Sequence, residues 1–389
     1  MRDFDGGYCR LMVSERVRDL LADQPVWDGH NDLAWEAREQ VGYDWDRLDI
    51  SGSTKGRTHT DIPRLRAGGV GAQFWSVYVP TTLPGAEAVV ATMEQIDAVH
   101  RMVARNTDQL QLAVSADDVE EAWAHGRIAS LLGAEGGHSI DGSLGVLRMF
   151  CSLGVSYMTL THNDSTAWAD SATDVPSDHG GLSGFGREVV REMNKLGMLV
   201  DLSHVAVGTM HAALDVSEAP VIFSHSSARA VCDVSRNVPD DVLSRLADNG
   251  GVCMVTFVPH FVTPEVARWK AAADEAATAE GIRGGDYPRF SAFLSRWRER
   301  YPAPPTRLDD VVAHVEHVRE VAGIEHVGLG GDYDGADGFA PELADVSGYP
   351  ALLEALADRG WSDEDLGQLT SRNMLRVMRN AEAVATRLH

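Results

Sequence analysis

Eight short apolar runs, most of them separated by a helical stretch, constrain this chain more than any other feature. They cover residues 26–32, 71–79, 128–133, 157–162, 198–202, 221–223, 251–258 and 326–330. Between them apolar residues recur at helical spacing over 85–106 (Val89, Val90, Met93, Ile96, Val99, Met102, Val103), 144–153, 185–196, 207–214, 240–248 and 308–322. A lead-in helix fits 10–23, and a terminal helix covers roughly 363–387. Residues 36–60 read as loop, and Asp61-Ile62-Pro63 as a short helix start. Strand–helix alternation over 389 residues predicts an α/β fold, a parallel sheet closed into a (β/α)8 TIM-type barrel spanning 1–389 as one domain. An open doubly wound sheet would carry GxGxxG or GxxxxGK[ST] after an early strand, and neither occurs. Residues 262–305 break the rhythm after the seventh run, with an Ala-rich stretch, a Gly-Gly turn, a Trp/Arg-rich stretch and YPAPP. They predict a helical insertion at the barrel mouth: a decorative excursion, a flap over the site or an oligomer contact.

Charge removes whole classes of partner. Asp and Glu number 58 against 34 Lys and Arg, a net charge of −24, which argues against nucleic-acid or anionic-membrane binding. No run approaches the ~20 apolar residues of a membrane span. The first residues carry charges throughout and lack the apolar core of a signal peptide, so a cytoplasmic protein is expected. Of four cysteines without CxxC spacing, Cys151, Cys232 and Cys253 sit in apolar surroundings and read as buried free thiols.

In a barrel the C-terminal strand ends converge on one mouth. Those ends carry His30 and Asp32, Glu135, His162, His204, His225 and Asp332, so six of the eight runs supply an imidazole or a carboxylate. His30 and Asp32, two apart on a strand, would share a face. A set without thiolate suits Zn²⁺ first, then Mn²⁺, Co²⁺ or Fe²⁺. A bridging Glu135 would let His30 and Asp32 hold one ion and His204 and His225 a second; two such ions activate water and polarise a carbonyl or phosphoryl group. The implied reaction is hydrolysis. Asp332 could then move the water's proton to the leaving group. His162 could donate to the developing oxyanion, or be a rim histidine satisfied by backbone. Arg236, in Ser235-Arg236-Asn237, could clamp a substrate carboxylate or pair with Asp240 or Asp241. His138 is read as ordering its own loop, and Asp334 as a support for Asp332. Ser203 and Ser224 lack a GxSxG setting and are not read as nucleophiles. His314 and His317 are read as surface.

These residues resemble the membrane (renal) dipeptidase family, zinc dipeptidases of the amidohydrolase-type barrels. The similarity lies in DGHNDLAW (28–35), TDIPRLRAGGVGAQFWSVY (60–78), GAEGGHSI (133–140), YMTLTHND (157–164), VDLSH (200–204), PVIFSHSSARAVCDVSRNVPDD (220–241) and GLGGDYDG (328–335). By that resemblance His30 and Asp32 match one zinc's ligands, His204 and His225 the other's, and Glu135 the bridge. His162 matches the carbonyl-side histidine, Arg236 the arginine for the substrate's C-terminal carboxylate, and Asp332 the acid/base. The resemblance implies two Zn²⁺ per chain and a small dipeptide substrate, with D-residues accepted at the C-terminal position by some members and β-lactams opened by others. It leaves a homodimer open. Without a signal peptide or an apolar tail the chain looks like a soluble bacterial branch rather than the lipid-anchored mammalian members. Residues 262–305 depart from the family pattern. Rival readings are a related amidohydrolase acting on N-acyl amino acids, β-lactams or lactones, and a non-catalytic metal-binding barrel.

Overall fold

The computed structural model describes residues 13–175, 180–282 and 287–389. Cys9, the first part of the expected lead-in helix and the Gly284-Gly285 turn lie outside the described residues. Strands run β1 (Val26–Asn31), β2 (Val70–Ser76), β3 (Leu110–Leu112), β4 (Ile128–Glu135), β5 (Val155–Thr159), β6 (Leu199–Asp201), β7 (Ile222–Phe223), β8 (Val252–Val255) and β9 (Val327–Leu329). All pairings between them are parallel, in the order β2-β1-β9-β8-β7-β6-β5-β4-β3. β2 pairs along Ala72–Ser76 with Ala129–Gly133 of β4, and that contact closes an eight-stranded (β/α)8 barrel.

The ninth strand, β3, is not one of the eight expected runs. It takes the first half of one β4 edge (Leu110↔Ile128 to Leu112↔Ser130), and β5 takes the second half. Only Leu110 of its three residues is buried, so it carries almost no apolar signal. Helices Leu33–Val41, Ala116–Ala124 and Tyr349–Asp358 also went unforeseen, the first running into the stretch 36–60 expected as loop. The other helices fall within a residue or two of expectation, from Ala86–Arg105 to Leu308–Ala322. At Asp61 the expected start is met: its side chain accepts from the Arg64 N–H, and Pro63 occupies the first turn.

Trp27, Phe74, Leu131, Tyr157, Leu199, Ile222 and Met254 come one each from seven strands and form one buried cluster. Side chains from so many strands meet only inside a barrel, so this cluster is its filling. Gly133 makes room for it, since a Cβ there would overlap the Tyr157 ring. The larger apolar cluster, including Val26, Val70, Leu132, Val200, Val189 and Val315, seals strands against the helix layer.

After β8 come helices Pro259–Val262, Pro264–Ala279 and Tyr287–Arg300, the expected insertion. The two longer helices share a small apolar cluster of their own, Ala273, Ala277, Ile282 and Phe293. Trp269 Nε1 donates to Tyr301 O at 2.7 Å and ties the ends of this hairpin together. Among the described residues no helix is long and apolar enough to cross a membrane. Cys151, Cys232 and Cys253 are free thiols; the latter two are buried and Cys151 is partly so.

Candidate metal centre

Glu135, the last residue of β4, sits at the middle of the strand-end residues. Its Oε1 lies 3.0 Å from His204 Nε2, 3.5 Å from His225 Nε2 and 3.7 Å from His162 Nε2. Its Oε2 lies 3.5 Å from His30 Nε2, which is 3.3 Å from Asp32 Oδ2. One carboxylate therefore points an oxygen into each of two clusters. His204 and His225 approach Nε2 to Nε2 at 3.0 Å. Asp332 joins His30 and Asp32 in a third overlapping group, and His225 is within reach of His30 as well as of His204. His162 forms a further candidate metal group with Glu135 and His204.

These spacings fit a metal better than they fit hydrogen bonds. Two donors each about 2.1 Å from zinc at a tetrahedral angle are about 3.4 Å apart. The nitrogen–oxygen contacts of 3.0–3.5 Å around Glu135 bracket that value. His30 Nε2 and Asp32 Oδ1 are buried without a hydrogen-bond partner. Buried polar atoms left so cost about 1–3 kcal/mol each unless something else satisfies them. His30, Asp32, Glu135, His204 and His225 thus suit a divalent cation.

The titrations agree. Burial, reinforced by the Arg236 charge, pushes His204 and His225 well below the usual imidazole range, and burial takes His162 down to about 4. Neutral imidazoles are what a metal requires. For His30 burial pulls down, but the Tyr157, Glu135 and Asp32 fields outweigh it and raise the group well above its usual range. Carboxylates that favour a proton on His30 favour any cation there, a metal included. Glu135 is held well below the carboxylate range by His30 and His162 against the effect of burial. Burial, with Asp32 and Glu135 nearby, raises Asp332 well above that range.

Local backbone geometry aims these groups. Asp32 is not on β1. It sits at the head of helix Leu33–Val41 (φ −98°, ψ 22°), and the register against β2 is irregular between Asp28 and Asn31. The shared face expected for His30 and Asp32 is therefore replaced by an irregularity that brings them together. His204 (φ 66°) and Asp332 (φ 61°) are both left-handed, a conformation rare outside glycine that recurs at functional sites.

Supporting groups escaped the sequence reading. Tyr157 OH lies 2.8 Å from His30 Nδ1, and Ser76 Oγ donates to Glu135 Oε2 at 3.2 Å. Ser224 Oγ lies 2.8 Å from His225 Nδ1, so it supports a histidine and is no nucleophile. Tyr157 and Ser76 could have been found only from strand register. For Ser224 the adjacent His225 was a signal.

Arg236 is 4 % exposed and pairs with neither Asp240 nor Asp241, which contact His317 and His211. Its Nη1 donates to Ser226 Oγ at 3.3 Å and its Nη2 to His225 O at 3.4 Å, while Nε has no partner. The guanidinium lies 5.0 Å over the Phe261 ring at the root of the insertion, and burial brings it down to about 10. A buried cation with a free N–H beside the cluster is arranged for an anion. His138 Nε2 lies 2.9 Å from Val79 O and ties its turn to the segment that follows β2. Asp334 accepts from the His59 N–H at 2.6 Å, so it faces the 54–60 loop. Beside it a cavity of about 460 Å³ is lined by Glu36, His59, Arg64 and Gly335 among others, and by none of the strand-end residues of the cluster. His314 is fully buried, not at the surface: it bridges the Ala228 N–H and the Val262 carbonyl.

Known proteins share this architecture and sequence. The model of the membrane dipeptidase family (peptidase family M19) matches residues 14–389. Dipeptidase 3 of Mus musculus is 40% identical over 376 residues, 96% of this chain and 67% of its own. Dipeptidase verJ of Clonostachys rogersoniana is 40% identical over 379 residues, covering 95% of this chain and 87% of its own. Among solved structures, the probable dipeptidase PvdM from Pseudomonas aeruginosa superposes with a TM-score of 0.82 at 21% identity, over 95% of this chain and 98% of that one. A Rhodobacter sphaeroides metallopeptidase liganded with a phosphinate mimic of L-Ala-D-Ala gives 0.75 at 23% identity, over 92% and 99%. These two share the fold; the family match and the 40% relatives go further, and the chain belongs to the membrane dipeptidase family, peptidase family M19.

Proposed function

We propose that this chain is a binuclear zinc dipeptidase that hydrolyses small dipeptides with a free C-terminal carboxylate. The observation that carries the reading is the two-sided arrangement of Glu135, with His30, itself beside Asp32, on Oε2 and His204 and His225 on Oε1. Zinc held by those five residues would supply an activated water and a polarised carbonyl.

The chain's own groups do the rest. Arg236, with its free Nε–H, fixes the substrate carboxylate and so sets the distance from the C-terminus to the scissile bond. That distance selects dipeptides over longer chains. A neutral His162 carries one ring N–H to offer the attacked carbonyl oxygen as charge develops on it. Asp332 holds a proton on its carboxyl more readily than an ordinary aspartate and passes it to the leaving amine nitrogen. A reducing compartment belongs to the same reading, supported by the free thiols.

The test is a library of L-L and L-D dipeptides, with N-acyl amino acids, β-lactams and lactones beside them, assayed on zinc-loaded wild type and R236M. We expect dipeptide hydrolysis, extending to some L-D members, and a fall in kcat/KM of at least a hundredfold in R236M, about 3 kcal/mol. An unaffected R236M removes the clamp, and turnover of acyl amino acids or lactones alone removes the dipeptidase.

A further inference from the structure

Asp201 ends β6 fully buried, and nothing in the proposed reaction uses it. Its Oδ2 accepts from the hydroxyls of Thr159 at 2.5 Å and Ser224 at 2.7 Å. Its Oδ1 accepts from the backbone N–H groups of Ser203 at 3.1 Å and Ser224 at 2.8 Å. Four donors from three adjacent strand ends converge on one carboxylate, so both of its oxygens are committed as acceptors.

The consequence reaches His225. A serine hydroxyl has one proton. With that proton given to Asp201 Oδ2, Ser224 Oγ can only accept, and its 2.8 Å contact with His225 Nδ1 is an Nδ1–H donating to it. An imidazole protonated at Nδ1 keeps its lone pair at Nε2, the atom that faces Glu135 Oε1 and His204 Nε2. His204 has no such support, because its buried Nδ1 has no hydrogen-bond partner. At His30 the phenol of Tyr157 can turn its proton to Nδ1 or to Gly29 O, so that tautomer is not dictated.

We propose that Asp201 and Ser224 are positioning residues that lock His225 in its Nδ1–H tautomer and so set the affinity of the His204–His225 side of the centre for metal. The proposal rests on reading His225 as a metal ligand. Without the Ser224 hydroxyl the ring is free to take the other tautomer, with Nε2–H donating to Glu135 Oε1 and no lone pair for a cation. Partners of this kind behind a ligating histidine typically change metal affinity by about 10–100-fold.

The test is chelator competition for zinc on folded wild type and S224A, with imidazole ¹⁵N NMR of the metal-free wild type. We expect S224A to bind one zinc about 10–100-fold more weakly, with the second unchanged, and wild-type His225 to carry its proton on Nδ1. Equal zinc affinities in the two proteins, or a wild-type His225 protonated at Nε2, overturn the relay while leaving the metal reading intact. A wild type that binds no zinc overturns the metal reading, and the relay with it. If S224A does not fold, the wild-type tautomer decides.

Discussion

Gly335 is the residue on which the site's spacing is most sensitive. A Cβ built on it overlaps both Asp32 Oδ2 and Asp332 Oδ1. G335A must therefore displace a proposed ligand and the proposed acid together, although it adds one methyl. We predict a loss of zinc affinity of about 10–100-fold with native circular dichroism, measured by chelator competition. Asp332 itself answers to a different measurement. D332N keeps the size of the side chain but cannot give up the proton, and kcat should fall by about 10²–10⁴ at full zinc loading. The residues that read clearly from sequence, His30, Glu135, His204, His225 and Asp332, share one property: each has a distinctive donor at a strand end. Tyr157 and Gly335 have no such mark, and Asp201, a carboxylate ending β6, bears it but turns away from the cluster to the Thr159 and Ser224 hydroxyls. Asp201 matters because β5, β6 and β7 lie side by side, and Gly335 because two carboxylates from opposite ends of the chain close on it.

At the scale of elements, helix Leu308–Ala322 does more than cover the barrel. Its His314 joins the loop after β7 to the root of the insertion through Ala228 N–H and Val262 O. Burial lowers this histidine to about 4. A depressed imidazole stabilises the fold fully above the unfolded value of 6.5 and ceases to do so as pH falls through 4. From the linkage, about 3 kcal/mol is lost across that window. Urea midpoints between pH 7 and pH 4 should thus fall more steeply for wild type than for H314Q, and parallel curves would dismiss the effect. The sequence reading put His314 on the surface because helical periodicity alone does not say how wide the buried face is. β3 was missed for the opposite reason, since three residues with one buried leave no pattern. The insertion was legible as a break in the alternation. Its hairpin has its own apolar cluster, so replacing 265–300 with a short Gly-Ser link should leave zinc stoichiometry unchanged and Tm within a few degrees, measured by calorimetry.

For the whole molecule, the barrel gathers three carboxylates (Asp32, Glu135, Asp332) and four imidazoles at one end of a chain of net charge −24. A cation there binds the folded state and not the unfolded one, so it stabilises by mass action. At a free zinc level about 1,000 times Kd the gain is about 4 kcal/mol, worth about 5 °C in Tm at this chain length. Chelation should lower Tm by that order and zinc should restore it. The barrel was legible because eight apolar runs recur with helices between them, and its closure followed from their number. The central place of Glu135 was legible at its strand end, whereas which oxygen faces which histidine is seen only in the folded chain. That arrangement is tested most directly by the zinc content of wild-type protein dialysed against buffered zinc. Two zinc ions per chain are predicted, falling in E135A. A saturating value of one, or none, would contradict the account.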